Sequence, residues 1–176
     1  MPKDPRPVVN PAVNPVVSPV APPPVLDPID RELIELLRAD GRTTNAALAK
    51  AVGIAESTCT ARLRRLLDRG VITGIHAEVD PAMLGRPVEA FVAVRFAGQR
   101  RADFELLRAE LPDVPGVLAL FHLSGSTDYL VHVAAVSTDA LRDFVLDHLT
   151  GRPGVAHAET SLVFDRTRAT ARLAVQ

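Results

Sequence analysis

Four arginines fall within eight residues: Arg62, Arg64, Arg65 and Arg69. With Asp68 as the one acid among residues 61 to 70, that stretch carries +3 (four minus one), in a chain whose 20 basic and 21 acidic residues nearly cancel. Clustered guanidinium groups neutralise phosphates, and a single Arg can grip guanine O6 and N7 through two hydrogen bonds. Small polar residues lie close by, Thr43 and Thr44 upstream, then Ser57 and Thr60, which allow close approach to a groove floor. The candidate DNA-contacting set is therefore Thr43, Thr44, Ser57, Thr60, Arg62, Arg64 and Arg65. The plain alternative is a solvated helix whose arginines make ordinary surface pairs.

Other reactive side chains are sparse. The five histidines are His76, His122, His132, His148 and His157. Three of them, His122, His132 and His157, fall on expected neighbouring strands, but no paired spacing or acidic support marks a metal site, and none is expected. Cys59 is the single cysteine, which excludes an intrachain disulfide framework. Its place on an apolar stripe makes it a small core residue. No Ser-His-Asp set, phosphate loop or acid dyad stands out, so the residues name no enzyme and no cofactor.

The elements that position the arginines follow from periodicity. Ile29, Leu33, Leu36 and Leu37 share one helical face, and Gly41 is expected as a left-handed stop. Thr43 or Thr44 can cap a second short helix, with Ala47, Leu48 and Ala51 inward. Gly53 turns the chain into a third helix from about Glu56 to Arg69, whose apolar stripe is Cys59, Leu63, Leu66 and Leu67 and whose outer face holds Ser57, Thr60, Ala61, Arg62, Arg64 and Arg65. Gly70 ends it. Val71 to Val79 reads as a strand or ribbon, broken by Asp80-Pro81.

The second half changes character, since all seven aromatic residues lie at or after Phe91. Val88, Ala90, Val92, Val94 and Phe96 alternate along a strand. A helix near Ala102 to Leu111 follows, then Pro115-Gly116-Val117 and a strand to Leu123. The same order repeats: a strand from Tyr129 to Val136, a helix from about Thr138 to Leu149, Pro153-Gly154-Val155 and a strand to about Phe164. Two such units give the βαββαβ pattern of a ferredoxin-like domain. The expected class is therefore α+β, with an N-terminal winged-helix-like helix-turn-helix domain and a C-terminal ferredoxin-like domain. The sheet face away from the helices is expected to carry Phe91, Leu118, Leu120 or similar residues, and a symmetric partner is the economical way to cover it.

Ten of the fifteen prolines lie within residues 1 to 28, five of them at four-residue intervals from Pro7 to Pro23. Such a run forms neither a helix nor a core. The expected boundaries are a disordered extension over 1–25, the helix-turn-helix domain over 26–73, a linker strand and hinge over 74–87, the ferredoxin-like domain over 88–165 and a tail over 166–176. Pro19 to Pro22 as a strip for a proline-reading partner is the alternative for the extension. No apolar run approaches a membrane span, and a cytoplasmic protein is the simplest reading.

The ordered set Asp40-Gly41-Arg42, Leu48-Ala49, Val52-Gly53-Ile54, Arg62-Leu63-Arg64-Arg65-Leu66, Gly70-Val71-Ile72, Val79-Asp80-Pro81 and Leu84-Gly85 resembles the Lrp/AsnC (leucine-responsive, feast/famine) transcriptional regulators. Pro115-Gly116-Val117, Gly125 to Leu130 and Pro153-Gly154-Val155 are similar to that family's amino-acid-sensing domain. The resemblance covers about residues 26 to 165. It departs at Ala55, where the family usually has a Ser helix cap, at Ala61, often a longer polar residue, and at the proline-rich extension.

The resemblance implies a regulator that binds double-stranded DNA. It implies homodimers formed through the C-terminal sheets, often built up to tetramers or octamers, and a small effector, usually an amino acid, between subunits. The turn Gly125, Ser126, Thr127, Asp128 and Tyr129 would carry that site: its amides and hydroxyls suit a carboxylate, and Asp128 suits an ammonium group. A tight hairpin turn explains the same residues. Thr160, Ser161 and Leu162 are weaker candidates for the same pocket. Two alternatives remain open: a protein of the siroheme decarboxylase type, which has this two-domain fold and would use His122 and His132 on a tetrapyrrole, and a stand-alone sensing oligomer.

Overall fold

The computed structural model describes residues 25–98 and 100–167, so the readings for 1–24 and for the end of the tail lie outside the described residues. The chain divides into two compact units, one reaching to His76 and one beginning at Ala77.

The first unit is a tri-helix: α1 (Pro28–Ala39), α2 (Asn45–Ala51) and α3 (Glu56–Asp68). The Asp27 carboxylate caps α1 by accepting from the Asp30 amide at 2.8 Å, and Pro28 sits where its missing N–H is no loss. Thr44 caps α2, accepting from the Ala47 amide at 3.2 Å. Ala55 stands at the N-cap of α3 and makes no side-chain bond there. The core joins Leu33, Leu48, Ala49 and Cys59, with Ile29, Leu36, Leu37 and Leu63 packed against it.

Three expectations are corrected in this unit. On α2 it is Ala49, not Ala47 or Ala51, that joins Leu48 inside; seven residues make two turns, too few for the stripe to be fixed by composition. Leu67 is 46% exposed, and Leu66 alone ends the α3 stripe. Gly41 does not have a positive φ; a Cβ there would lie 2.8 Å from Ile75 Cγ2, so close approach is the reason for glycine.

No strand forms over 71–80. The amides of Val71 and Ile72 both bond the Leu66 carbonyl, at 2.9 and 3.2 Å, closing the end of α3 around Gly70 at φ 68°. A strand needs a partner ladder, and the first two amides of this stretch serve the helix end instead. A 3₁₀ turn over Pro81–Leu84 and Gly85, already within the second unit, then precede its first strand.

The second unit is β1 (Val88–Phe96), α4 (Arg101–Glu110), β2 (Val117–His122), β3 (Tyr129–Ala135), α5 (Thr138–Val145, extended by a π-turn over Leu146–Thr150) and β4 (Val155–Leu162). The sheet is antiparallel in the order β2-β3-β1-β4, the ferredoxin-like arrangement. Ala90, Val92, Val94 and Phe96 point to the helix-covered side, where Val131, Val133, Leu107, Leu111, Leu141 and Leu149 complete the core. Both Pro-Gly-Val turns have glycine at positive φ, 101° at Gly116 and 85° at Gly154. A Cβ would lie 2.6 Å from the Ala134 carbonyl at Gly116, and 2.6 Å from an Asp103 carboxylate oxygen at Gly154.

The opposite sheet face is only partly as expected. Phe91 is on it, but Leu120 pairs with Val131 and belongs to the helix-side core. Leu118 lies in a register shift between Val117 and Ala119 and is 44% exposed. Phe121, opposite Leu130 and 46% exposed, takes the expected place of Leu120. The bulge shifts the alternation by one residue, which a period-2 reading cannot foresee.

Candidate nucleic-acid interface and effector turn

At 100° per residue, Ser57, Ala61, Arg64 and Asp68 face away from the buried Cys59 and Leu66, with Arg65 beside them. Arg64 is highly exposed and only loosely paired to Asp68 at 4.0 Å. Arg65 has a half-exposed side chain, 49%. Its Nη2 donates to both oxygens of Asp30, at 2.8 and 3.2 Å.

Arg62 is not on the outer face. Its side chain is turned to the start of α1, where Nη1 donates to Asp30 Oδ1 at 2.7 Å and to Asp27 Oδ2. The helix position explains this: residue 62 flanks the buried stripe on the side of α1, and two carboxylates wait there. The Arg62 hydrogen bond, with the Asp30 amide behind it, holds the Asp27 carboxyl below the usual carboxylate range. Asp27 and then Asp30 raise the Arg62 guanidinium in turn.

The threonines are partly engaged by their own backbone. Thr60 Oγ1 donates to the Glu56 carbonyl at 2.9 Å, and Thr43 Oγ1 to the Asp40 carbonyl at 2.8 Å. Thr44 is the α2 cap already described. Asn45 Nδ2 donates to the Glu56 carbonyl at 3.0 Å and so ties the start of α2 to the start of α3. That leaves Ser57, the loosely paired Arg64 and the half-exposed Arg65 as the exposed donors of α3.

Asp27, Asp30 and Asn45 hold this helix in place, and none of them is among the candidates drawn from the sequence. Asp30 had a visible signal: it lies three residues before Leu33 and seven before Leu37, on the apolar stripe itself. An acid at such a position calls for a buried partner.

In the second unit the Gly125 to Tyr129 segment links β2 to β3. Gly125 has φ 125°, Ser126 is exposed and Thr127 is half-buried. Asp128 is bound to β1: its amide donates to the Val94 carbonyl at 3.0 Å, and its Oδ2 accepts from the Phe96 amide at 2.8 Å. One carboxylate oxygen is thus occupied within the chain. Tyr129 is 2% exposed, its ring inside the helix-side core and its hydroxyl 3.4 Å from the Phe104 carbonyl; burial pushes its phenol up.

Thr160, Ser161 and Leu162 divide between faces. Thr160 pairs with the core residue Val92 and Leu162 with Ala90, whereas Ser161 pairs with Phe91. Alternation in a strand keeps the three from lining one surface.

The histidines are also separated. His122 stacks on Tyr129 at 4.7 Å, on the helix side. His132 stacks on Phe91 at 4.5 Å on the other face and meets Glu89 at 2.8 Å. The two tetrapyrrole candidates therefore do not share a cleft within one chain. Among the described residues no group of three or more His, Cys, Asp or Glu side chains is placed to hold a metal ion. Cys59 is buried, and that burial raises its thiol.

A Gly-turned tri-helix with arginines on its third helix, followed by a ferredoxin-like sheet domain, defines a DNA-binding regulator architecture. Comparison with known proteins makes the class specific. Residues 26–73 match a winged helix-turn-helix DNA-binding model, and residues 89–173 match the Lrp/AsnC ligand binding domain. The chain is 39% identical over 146 residues to the HTH-type transcriptional regulator AldR of Mycobacterium tuberculosis, covering 83% of this chain and 82% of that protein. It is 33% identical to the leucine-responsive regulatory protein of Rhizobium meliloti, over 81% of this chain and 92% of that one. A transcriptional regulator of Neisseria meningitidis, solved as its L-Met complex, superposes with a TM-score of 0.76 at 32% identity, over 85% of this chain and 96% of that structure. The chain belongs to the Lrp/AsnC family of transcriptional regulators.

Proposed function

We propose that this chain is a sequence-specific DNA-binding regulator whose grip on DNA is set by a small effector, an amino acid. The observation that carries the reading is the third helix, which presents Ser57, Arg64 and Arg65 on one exposed face of the tri-helix. Arg64 serves phosphate neutralisation, and Arg65 is the candidate for a base edge. Arg62 is withdrawn from this set by its bonds to Asp27 and Asp30.

The effector site is proposed at the β2–β3 turn, where Gly125, Ser126 and Thr127 offer backbone amides and hydroxyls. Asp128 shapes that turn through Phe96 and leaves its second oxygen for an ammonium group. The bound L-Met of the Neisseria relative supports an amino acid as the effector class. Self-association is proposed through the sheet face bearing Phe91, Phe121 and Leu130; an exposed Phe121 beside the half-buried Phe91 and Leu130 on one face favours a second copy. An effector with different affinity for two assemblies then changes how many DNA half-sites are held at once. No described helix is long and apolar enough to cross a membrane.

The test is a mobility-shift titration on DNA upstream of the chain's own gene, with and without a pool of the common amino acids. A shift that the pool alters is the expected result. A shift indifferent to the pool removes the effector part, and failure to bind at low salt, where phosphate contacts are strongest, counts against the DNA reading.

A further inference from the structure

Asp30 is an unusual residue for its place. Its side chain is 2% exposed, on the stripe otherwise occupied by Leu33 and Leu37, and an apolar residue would fill the position without desolvating a charge. A buried ion pair is often no more stabilising than apolar packing of the same volume. What the carboxylate provides is direction. It receives Arg62 Nη1 at 2.7 Å on one oxygen and Arg65 Nη2 at 2.8 and 3.2 Å across both. Asp27 holds Arg62 from the other side, so the Asp30 end of the network is itself fixed.

We propose that Asp30 is a positioning residue that sets DNA-sequence specificity through Arg65. It anchors one nitrogen of the guanidinium and so restricts the orientation of this half-exposed side chain, on a helix whose outer face carries Ser57, Ala61 and Arg64. This deepens the reading of α3 as a recognition helix and rests on it. A planar guanidinium held at one end keeps a fixed fork for a base edge, whereas a released one is a mobile cation that satisfies any phosphate. Loss of the anchor therefore lowers discrimination while leaving non-specific attraction in place.

The experiment uses the full chain. The wild-type protein is first used to enrich a duplex from a random-sequence library, and affinities are then measured for that duplex and for its scrambled version across a salt series. Asp30→Asn is expected to weaken the selected duplex about tenfold, the loss of one good base contact. Binding to the scrambled duplex stays unchanged or tightens, with a salt slope unchanged or steeper by about 0.9 as Arg65 becomes available to phosphate. Arg65→Gln should lose the same discrimination, and the double variant should match Arg65→Gln alone, because Asp30 acts only through Arg65.

Equal losses on both duplexes overturn the proposal, since a merely structural role predicts them, and so do additive effects in the double variant. Should Asp30→Asn fail to fold by circular dichroism, Arg65→Lys carries the test. It keeps the charge on an exposed side chain but has no fork, so it should lose about tenfold on the selected duplex alone, and unchanged discrimination refutes the proposal. A wild-type protein that enriches no duplex refutes the DNA reading itself, and the proposal with it.

Discussion

Arg62→Ala separates a structural arginine from a DNA contact. Truncation strands Asp27 and Asp30 without a shared partner. Breaking a buried pair costs about 3–5 kcal/mol when the remaining charge has no other partner. Here Asp30 keeps Arg65. Asp27 is 43% exposed, so water replaces much of its loss. The expected destabilisation of the tri-helix is therefore about 1–3 kcal/mol, the range for one charged hydrogen-bonded group removed. The chain has no tryptophan and one tyrosine, Tyr129, in the second unit. Tyrosine fluorescence therefore reports that unit only, and far-ultraviolet circular dichroism reports all helices. In urea, the dichroism transition should move to lower denaturant while the Tyr129 transition stays put. The salt slope of DNA binding, measured where the variant is folded, should stay at the wild-type value. Unchanged stability together with a slope reduced by about 0.9 would refute the reasoning and return Arg62 to the phosphate contacts.

Three further outcomes follow from the geometry. The folded-state pKa of Asp27 is lowered, chiefly by Arg62, so its contribution is fully present above the unfolded aspartate value of about 4 and is lost as pH falls through the lower folded value; an acid titration of stability should show Asp27→Asn losing its deficit relative to wild type below about pH 4. Gly154→Ala forces a side chain into positive φ and against Asp103, and should destabilise the second unit by about 1–3 kcal/mol, read from the Tyr129 transition. Phe121→Glu places a charge on the exposed sheet face and should shift sedimentation toward smaller species with little change in unfolding; an unchanged sedimentation profile would move the self-association surface elsewhere.

Much of the architecture is legible because it rests on periodicity. The α1 stripe, the alternation of β1 and the twice-written Pro-Gly-Val order all appear in the folded chain, since a core on one side forces those spacings. The misreadings arise where a local rule meets a tertiary partner. Val71 to Val79 looks like a strand, yet the amides of Val71 and Ile72 close the end of α3. Gly41 looks like a left-handed stop, yet it is small because Ile75 approaches it. Thr160, Ser161 and Leu162 look like one patch until the register assigns them to alternate faces. Arg62 and Arg64 are indistinguishable by residue type. Only the packing of α1 beside α3 shows that one is bound inward and the other is exposed, with only a loose pair to Asp68.

The central claim is that one chain couples an amino-acid site to DNA binding, and linkage gives its most direct test. The affinity of the amino acid that alters the mobility shift is measured calorimetrically on the free protein and on the protein saturated with its selected duplex. The account predicts that DNA changes amino-acid affinity by the same factor by which the amino acid changes DNA affinity, because coupling between two sites is reciprocal. Equal amino-acid affinity in the two states, or no amino-acid binding at all, would contradict it.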